Sequence, residues 1–259
     1  MKMHYFTYKD IGRIYAKGRP YVHDQVIQQV RAFLNLKKPV PRALDIACGT
    51  GLSTVALEDI TDSIVAFDIS YNMVAAAPRK RRTSYITAAA ENVPLAAASF
   101  DLVTVSSAFH WFDKRRFRKE LSRVLKPGAW AIIYENHFTP QLMECPEFKQ
   151  WFYDVFLRRY PSPPRDFTLD RKKFKDAGIL FLGEEPCEKP VSFTSEQLIV
   201  YLLSITNVVS EVEKGRVAFD DVANWLRTEL KQFSALCPAG KASGNFMFAG
   251  SIQYFQKQA

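Results

Sequence analysis

Leu44-Asp45-Ile46-Ala47-Cys48-Gly49-Thr50-Gly51 decides the fold of this chain. Leu44 and Ile46 suit a buried strand, Asp45 places an acid on it, and Gly49 and Gly51 let the backbone turn with no Cβ in the way. The run that follows, 52–60, reads as a helix. Strand, glycine turn and helix together open a nucleotide-binding βαβ unit. A second apolar run, Ile64-Val65-Ala66-Phe67, ends in Asp68, 17 residues past Gly51. That is close to the ~20-residue offset at which an acid accepts hydrogen bonds from ribose hydroxyls. The other reading of Asp68 is a loop acid capping the helix that starts near Tyr71, a role equally open to Ser70.

The same turn narrows the ligand. Leu52-Ser53-Thr54 follows Gly51, so the third glycine of the dinucleotide fingerprint is missing, and no Gly-Lys-Ser/Thr makes a phosphate loop. The nucleotide-like ligand that needs close backbone approach but no phosphate cradle is S-adenosylmethionine. Further motifs follow in order: Asp68-Ile69-Ser70 with Met73, Ala90-Glu91-Asn92-Val93-Pro94-Leu95, Ser99-Phe100-Asp101-Leu102-Val103, and Arg123-Val124-Leu125-Lys126-Pro127-Gly128-Ala129. Over about 43–135 the chain thereby resembles the class I S-adenosylmethionine-dependent methyltransferases, and within them the methyltransferase type 11 group. Ser107-Ala108-Phe109-His110-Trp111-Phe112-Asp113 and the segment from Tyr15 through Arg19-Pro20-Tyr21 resemble the trans-aconitate methyltransferase-like branch, in which such an N-terminal segment lies over the cofactor.

The resemblance implies an α/β, Rossmann-like sandwich: a mostly parallel sheet with an antiparallel late strand and helical lid insertions. It implies S-adenosyl-L-methionine as methyl donor and S-adenosyl-L-homocysteine as product. Cofactor contacts are then expected from Tyr15, Arg19, Asp45, Ala47, Gly49, Gly51, Asp68, Ile69, Met73, Ala90, Glu91 and Ser106. Asp45 would bond the methionine amine, directly or through water, or else only prop the turn by accepting backbone N–H bonds. Ile69 and Val93 would sandwich the adenine or be ordinary core. Ala47 stands where the family's first glycine is often Ala. Ala89 stands where the family frequently has Asp, which leaves an adenine amino contact to Glu91 or Asn92. Cys48 reads as small filler, with nothing basic beside it to lower its pKa.

Methyl transfer from a sulfonium is an in-line displacement in which the protein mainly aligns two reactants and excludes water. His110-Trp111 follows the fourth strand, where the carboxyl end of an open sheet faces the ligand crevice. Both are candidate catalytic residues: His110 as a base or hydrogen-bond donor, Trp111 as a wall with an indole N–H. The alternative is that both pack beneath a lid. Arg19 is able to grip a carboxylate bidentately. An acceptor carboxylate needs no base, being ionised near pH 7, whereas a phenol, amine or carbon acceptor usually benefits from one. The expected acceptor is a small molecule, with a carboxylic acid as the leading subclass.

Strand-like runs at about 43–46, 64–68, 84–87, 102–106 and 129–135 alternate with helical ones, the pattern of a parallel sheet covered on both faces. Helices are predicted over 22–36, 114–125, 146–160, 171–177, 194–204 and 222–233, and a late strand over 246–255. One methyltransferase domain over 1–259 is expected, with an N-terminal cap and helix at 1–36 and a cofactor core at 37–138. Lid and substrate-wall insertions around late sheet elements would occupy 139–240, and a terminal strand 241–259.

Composition bounds the partners. Lys and Arg outnumber Asp and Glu by 35 to 27, an excess concentrated in Arg79-Lys80-Arg81-Arg82 and the run from Lys114 to Lys119. Such runs are more often solvated faces than nucleic-acid surfaces, and no basic face interleaved with aromatics accompanies them. A nucleic-acid partner is therefore not expected. An RNA or protein methyltransferase, or a cofactor-binding protein without turnover, are the rival classes. No apolar run is long enough for a membrane span, and the N-terminus lacks the apolar stretch of a signal peptide. Four scattered cysteines and four dispersed histidines give neither a disulfide framework nor a metal site, which fits a cytoplasmic protein. Oligomeric state is not legible.

Overall fold

The computed structural model describes residues 6–142, 145–236 and 244–259. Cys237, His4 and the first residues of the predicted 241–259 segment lie outside them. The chain begins with α1 (Ile11–Gly18) and α2 (His23–Phe33), then alternates through β1 (Val40–Ile46), α3 (Leu52–Leu57), β2 (Thr61–Asp68), α4 (Tyr71–Ala75), β3 (Thr83–Thr87) and β4 (Phe100–Ser106). A single 3-10 turn (Phe109–Trp111) leads into α5 (Lys114–Val124), β5 (Leu125–Tyr134) and β6 (His137–Leu142). Next come α6 (Glu147–Trp151), a π-helical turn (Phe152–Phe156), α7 (Leu157–Arg159) and α8 (Arg171–Asp176). The last elements are β7 (Ile179–Phe193), α9 (Ser195–Ser204), α10 (Thr206–Glu213), α11 (Phe219–Leu230), a 3-10 segment (Lys231–Leu236) and β8 (Gly244–Lys257).

Two compact units divide these residues, and both are discontinuous in sequence. One comprises 21–137, 165–187 and 250–259. Within it β1 to β5 run parallel in the order β3-β2-β1-β4-β5, and β8 pairs antiparallel with β5, Trp130 opposite Gln256 and Tyr134 opposite Ile252. Alternate side chains of each strand go to opposite faces. Leu44, Ile46, Val103 and Val105 pack with Phe117 and Leu121 of α5 and Phe174 of α8. Ala43, Leu102 and Ile132 pack with Val26, Ile27 and Val30 of α2 and with Ala56 and Leu57 of α3. A sheet covered on both faces explains the near-continuous apolar runs read from the sequence.

The other unit comprises 1–20, 138–164 and 188–249. Its core is aromatic: Phe138, Phe148, Phe193, Tyr201, Phe246 and Phe248 form a chain of ring contacts. Here α1 lies so close to α9 that a Cβ on Gly18 would sit 2.5 Å from the Val200 carbonyl oxygen. The helix predicted over 146–160 is present but interrupted by the π turn. Helix α9 opens with a capping box, the Thr194 hydroxyl accepting from the Gln197 N–H while the Gln197 side chain accepts from the Thr194 N–H. Strands β6 and β7 and helices α1 and α10 are not among the elements predicted individually from the sequence. Segment 165–187, within the range 139–240, belongs to the unit with the parallel strands.

Candidate active site

Parallel strands deliver their carboxyl ends to one edge, and there β1 enters the glycine turn. Ala47, Gly49 and Gly51 all take left-handed backbone conformations, with φ of 57°, 55° and 81°. At Ala47 this costs about 1–2 kcal/mol, so a non-glycine residue is held under strain at the turn. A Cβ on Gly51 would come within 2.7 Å of the Tyr85 hydroxyl and 3.2 Å of Ala77 Cβ, which leaves glycine as the residue that fits. The Thr50 hydroxyl in this turn is buried and has no hydrogen-bond partner among the described residues.

Asp45 is fully buried. Its Oδ2 accepts the hydroxyls of Ser53 (2.7 Å) and Thr54 (2.6 Å), and its Oδ1 that of Thr104 (2.8 Å). Burial pushes its carboxyl above the ordinary value, while these three hydrogen bonds work in the opposite direction. The donors differ from those the sequence reading expected. Asp45 exposes no surface for a methionine amine to touch, and its bonds come from side-chain hydroxyls rather than backbone N–H groups. It fastens β1 to α3 and β4 beside the glycine turn. Cys48 is also buried, its thiol pushed well up by burial and by the nearby Asp45 and Asp68, as suits filler.

Asp68 ends β2 and turns toward the glycine turn. Its Oδ2 accepts the Gly49 N–H (2.9 Å) and its Oδ1 the Ser70 N–H (2.8 Å). Burial raises its carboxyl pKa, and the backbone hydrogen bonds partly offset this. The cap of α4 is Ser70, whose hydroxyl accepts the Met73 N–H at 3.3 Å, so Asp68 is left to tie two loops together. Next to it Ile69 is 46% exposed, an apolar side chain outside the core, whereas Val93 and Met73 are buried in it. Ala90 is core as well, and Glu91 accepts the Asp113 N–H at 2.7 Å ahead of α5.

Beyond β4, Ser106 is followed by Ser107, again left-handed at φ 48°, with its N–H on the Tyr134 carbonyl and its hydroxyl accepting the Asn136 N–H. The chain then enters the 3-10 turn that carries His110 and Trp111. His110 is 8% exposed, with Nδ1 3.3 Å from Glu135 Oε1. Its ring contacts Trp111 (centroids 4.8 Å) and Phe167 (4.6 Å), and the Arg165 guanidinium lies over the Trp111 ring at 5.3 Å. Glu135 Oε2 lies 3.7 Å from His137 Nε2.

Sequence reasoning missed Glu135, His137, Arg165 and Phe167. A signal for Glu135 existed, because it follows the carboxyl end of β5 just as His110 follows β4, and the crevice rule applies to both. Tyr15 and Arg19 belong to the other unit. There the Arg19 guanidinium lies between the Tyr15 (4.6 Å) and Tyr201 (5.2 Å) rings and donates to the Ser204 carbonyl.

Residues 44–133 match the methyltransferase domain family. Residues 44–133 form a class I S-adenosylmethionine-dependent methyltransferase domain. This methyltransferase is 26% identical over 212 residues to a Dictyostelium discoideum protein provisionally named a methyltransferase, covering 79% of this chain and 78% of that protein. It is 34% identical over 139 residues to the demethylmenaquinone methyltransferase of Corynebacterium glutamicum, covering 53% of this chain and 58% of that enzyme. The methyltransferase thus spans little more than half the length of that relative. A structure from Anaeromyxobacter dehalogenans, provisionally named a type II methyltransferase, superposes with a TM-score of 0.64 at 23% identity, covering 91% of this chain and 97% of that one. That likeness confirms the mostly parallel sheet with one antiparallel late strand.

Proposed function

We propose that this methyltransferase binds S-adenosylmethionine at the glycine turn and Asp68, and transfers the methyl group to a small-molecule acceptor presented at His110 and Trp111. The observation that carries the reading is Asp68: a half-buried carboxylate anchored by backbone N–H groups, beside an exposed Ile69, on the edge where the glycine turn emerges. Asp68 retains lone pairs for ribose hydroxyls, Ile69 offers an apolar face for the adenine, and the close approach at Gly51 keeps the turn narrow. The buried Thr50 hydroxyl is a further polar group in the same turn. When bound, the cofactor supplies the electrophilic methyl group and the sulfur leaving group.

Two of the five cations of the basic run in α5 are engaged internally. Lys114 pairs with Asp166 at 2.7 Å, and the Arg118 side chain is buried against Phe174. This weakens the case for a polymer substrate. Three free cysteines among the described residues accord with a cytoplasmic location.

Calorimetric titration with S-adenosylmethionine and S-adenosylhomocysteine tests the reading. Micromolar binding of both supports it, and no heat at millimolar ligand removes it.

A further inference from the structure

We infer that Glu135 is a positioning residue that fixes His110 as a proton acceptor, and that the methyl acceptor therefore arrives carrying a proton, as a phenol, alcohol or amine rather than a carboxylate. The inference rests on the reading of the site as a methyl-transfer centre.

Glu135 Oε1 faces His110 Nδ1 at 3.3 Å. A carboxylate has no proton to donate at neutral pH, so the proton of this contact resides on Nδ1 and the Nε2 lone pair is left open. His110 Nε2 makes no hydrogen bond among the described residues. Trp111 and Phe167 flank the ring, and the Asp166 N–H donates to the His110 backbone carbonyl at 3.4 Å. A buried histidine serving only as packing does not need a carboxylate aimed at one ring nitrogen while the other goes unused. The arrangement is that of a base with an orienting acid.

Several titratable groups surround the His110 ring. Facing it are Glu135 from the end of β5, His137 from the start of β6, and Arg165 with Asp166 from the segment before α8. Asp166 is paired with Lys114. Burial holds His137 below its ordinary pKa, with His110 and Arg165 adding to the depression and Glu135 opposing it. Glu135 Oε2 is buried with no hydrogen-bond partner among the described residues. A carboxylate acceptor would meet this fixed carboxylate. A hydroxyl or amine would instead meet a lone pair that accepts its proton. As the bond from the acceptor atom to the methyl carbon forms and the carbon–sulfur bond breaks, the electron pair remains on sulfur and the acceptor's proton passes to His110 Nε2. The resulting imidazolium is stabilised by Glu135 and returns its proton to water once product leaves.

Nitrogen-15 NMR of the histidine rings in the cofactor-free protein is the deciding experiment, with the His110 signals assigned from a His110→Asn variant. At neutral pH, His110 is expected as the Nδ1–H tautomer in the wild type, with a measurable Nε2–H fraction in Glu135→Gln and a return toward wild type in Glu135→Asp. An Nε2–H tautomer in the wild type overturns the inference and needs no variant to fold. So does a tautomer unchanged in a folded Glu135→Gln.

Product S-adenosylhomocysteine is then measured with panels of phenols, alcohols, amines and carboxylic acids. Turnover in the protonated panels is expected, with Glu135→Gln lowering kcat about tenfold or more and leaving KM within about twofold. Transfer confined to carboxylic acids, or absent from the protonated panels, overturns the acceptor class. Failure to bind S-adenosylmethionine sinks the methyl-transfer reading instead, while the tautomer still reports whether Glu135 orients His110.

Discussion

Gly51 and Tyr85 stand so close that a single added carbon on the glycine would lie 2.7 Å from the tyrosine hydroxyl. Gly51 also sits at φ 81°, where a Cβ costs about 1–2 kcal/mol without any clash. The two effects act together, because the turn cannot relax toward negative φ without displacing the start of α3. Gly51→Ala is expected to lose about 2 kcal/mol or more in urea unfolding and to weaken S-adenosylmethionine binding by calorimetry. Gly51→Ala paired with Tyr85→Phe should recover part of the stability but not the strain. Full recovery in the double variant would show that backbone conformation matters little here.

Asp45 separates charge from hydrogen bonding. Removing the carboxylate leaves the hydroxyls of Ser53, Thr54 and Thr104 buried without an acceptor, so Asp45→Ala should cost about 3 kcal/mol. Hydroxyls both donate and accept, so Asp45→Asn should cost much less. The folded-state pKa is raised by burial, so the protonated form is the one folding favours. Wild-type stability from this group therefore falls as pH rises from the unfolded value of 3.8 through the folded one. Equilibrium unfolding of both proteins should then show Asp45→Asn gaining on the wild type across that window. Equal losses for the Asn and Ala variants would refute this account.

The sheet was legible because parallel strands buried on both faces write long apolar runs. Each of the five predicted parallel strands was found with its carboxyl end within two residues of the expected place. The glycine turn and Asp68 were legible for the same reason, being backbone requirements tied to that edge. Asp45 was not, since the partners that fill its oxygens come from Ser53, Thr54 and Thr104, residue types too common to signal a shared acceptor. Strand β7 was hidden by the polar stretch from Glu184 to Lys189 and by Pro186 and Pro190, two residues that argue against a strand. Glu135 and Phe167 meet His110 from 25 and 57 residues away, a proximity that only the packed fold creates.

Asp68 makes cofactor affinity depend on pH. Only the ionised carboxylate has both oxygens free to accept ribose hydroxyls, and burial raises its pKa above 3.8. Affinity for S-adenosylmethionine should therefore decline as pH falls through that raised value, at a higher pH than an ordinary carboxylate would give. Asp68→Asn should bind at least tenfold more weakly near pH 7, a difference of ~1.4 kcal/mol, and should lose the acid-side dependence. Calorimetry from neutral to acid pH checks both, and a variant with wild-type affinity would remove the ribose assignment.

His110 should separate binding from turnover. It lies beyond the strand ends at the turn shared with Trp111, while Asp68 and the glycine turn are the proposed cofactor contacts. His110→Ala is expected to lower kcat by about 100-fold and to change cofactor affinity by less than twofold. Parallel loss of both would return His110 to a packing role.

Arg123 clamps the loop after Glu91 from the side of α5. It donates to the Leu95 and Val93 carbonyls, each at 2.7 Å, and to Glu120, whose Oε2 in turn accepts the Val93 N–H at 2.9 Å. Arg123 holds the Glu120 carboxyl below its ordinary value of 4.5, chiefly through this hydrogen bond. A depressed folded pKa means the contribution is complete above the unfolded value and lost as pH falls through the folded one. Arg123→Met is thus expected to cost about 1–2 kcal/mol near pH 7, after allowance for its partial exposure. The gap to the wild type should shrink as pH drops below 4.5. Because the ion pair and the carbonyl bonds are separable, Glu120→Gln should remove the pH dependence while keeping part of the stability. A pH-independent gap between wild type and Arg123→Met would assign the clamp to the carbonyl hydrogen bonds alone.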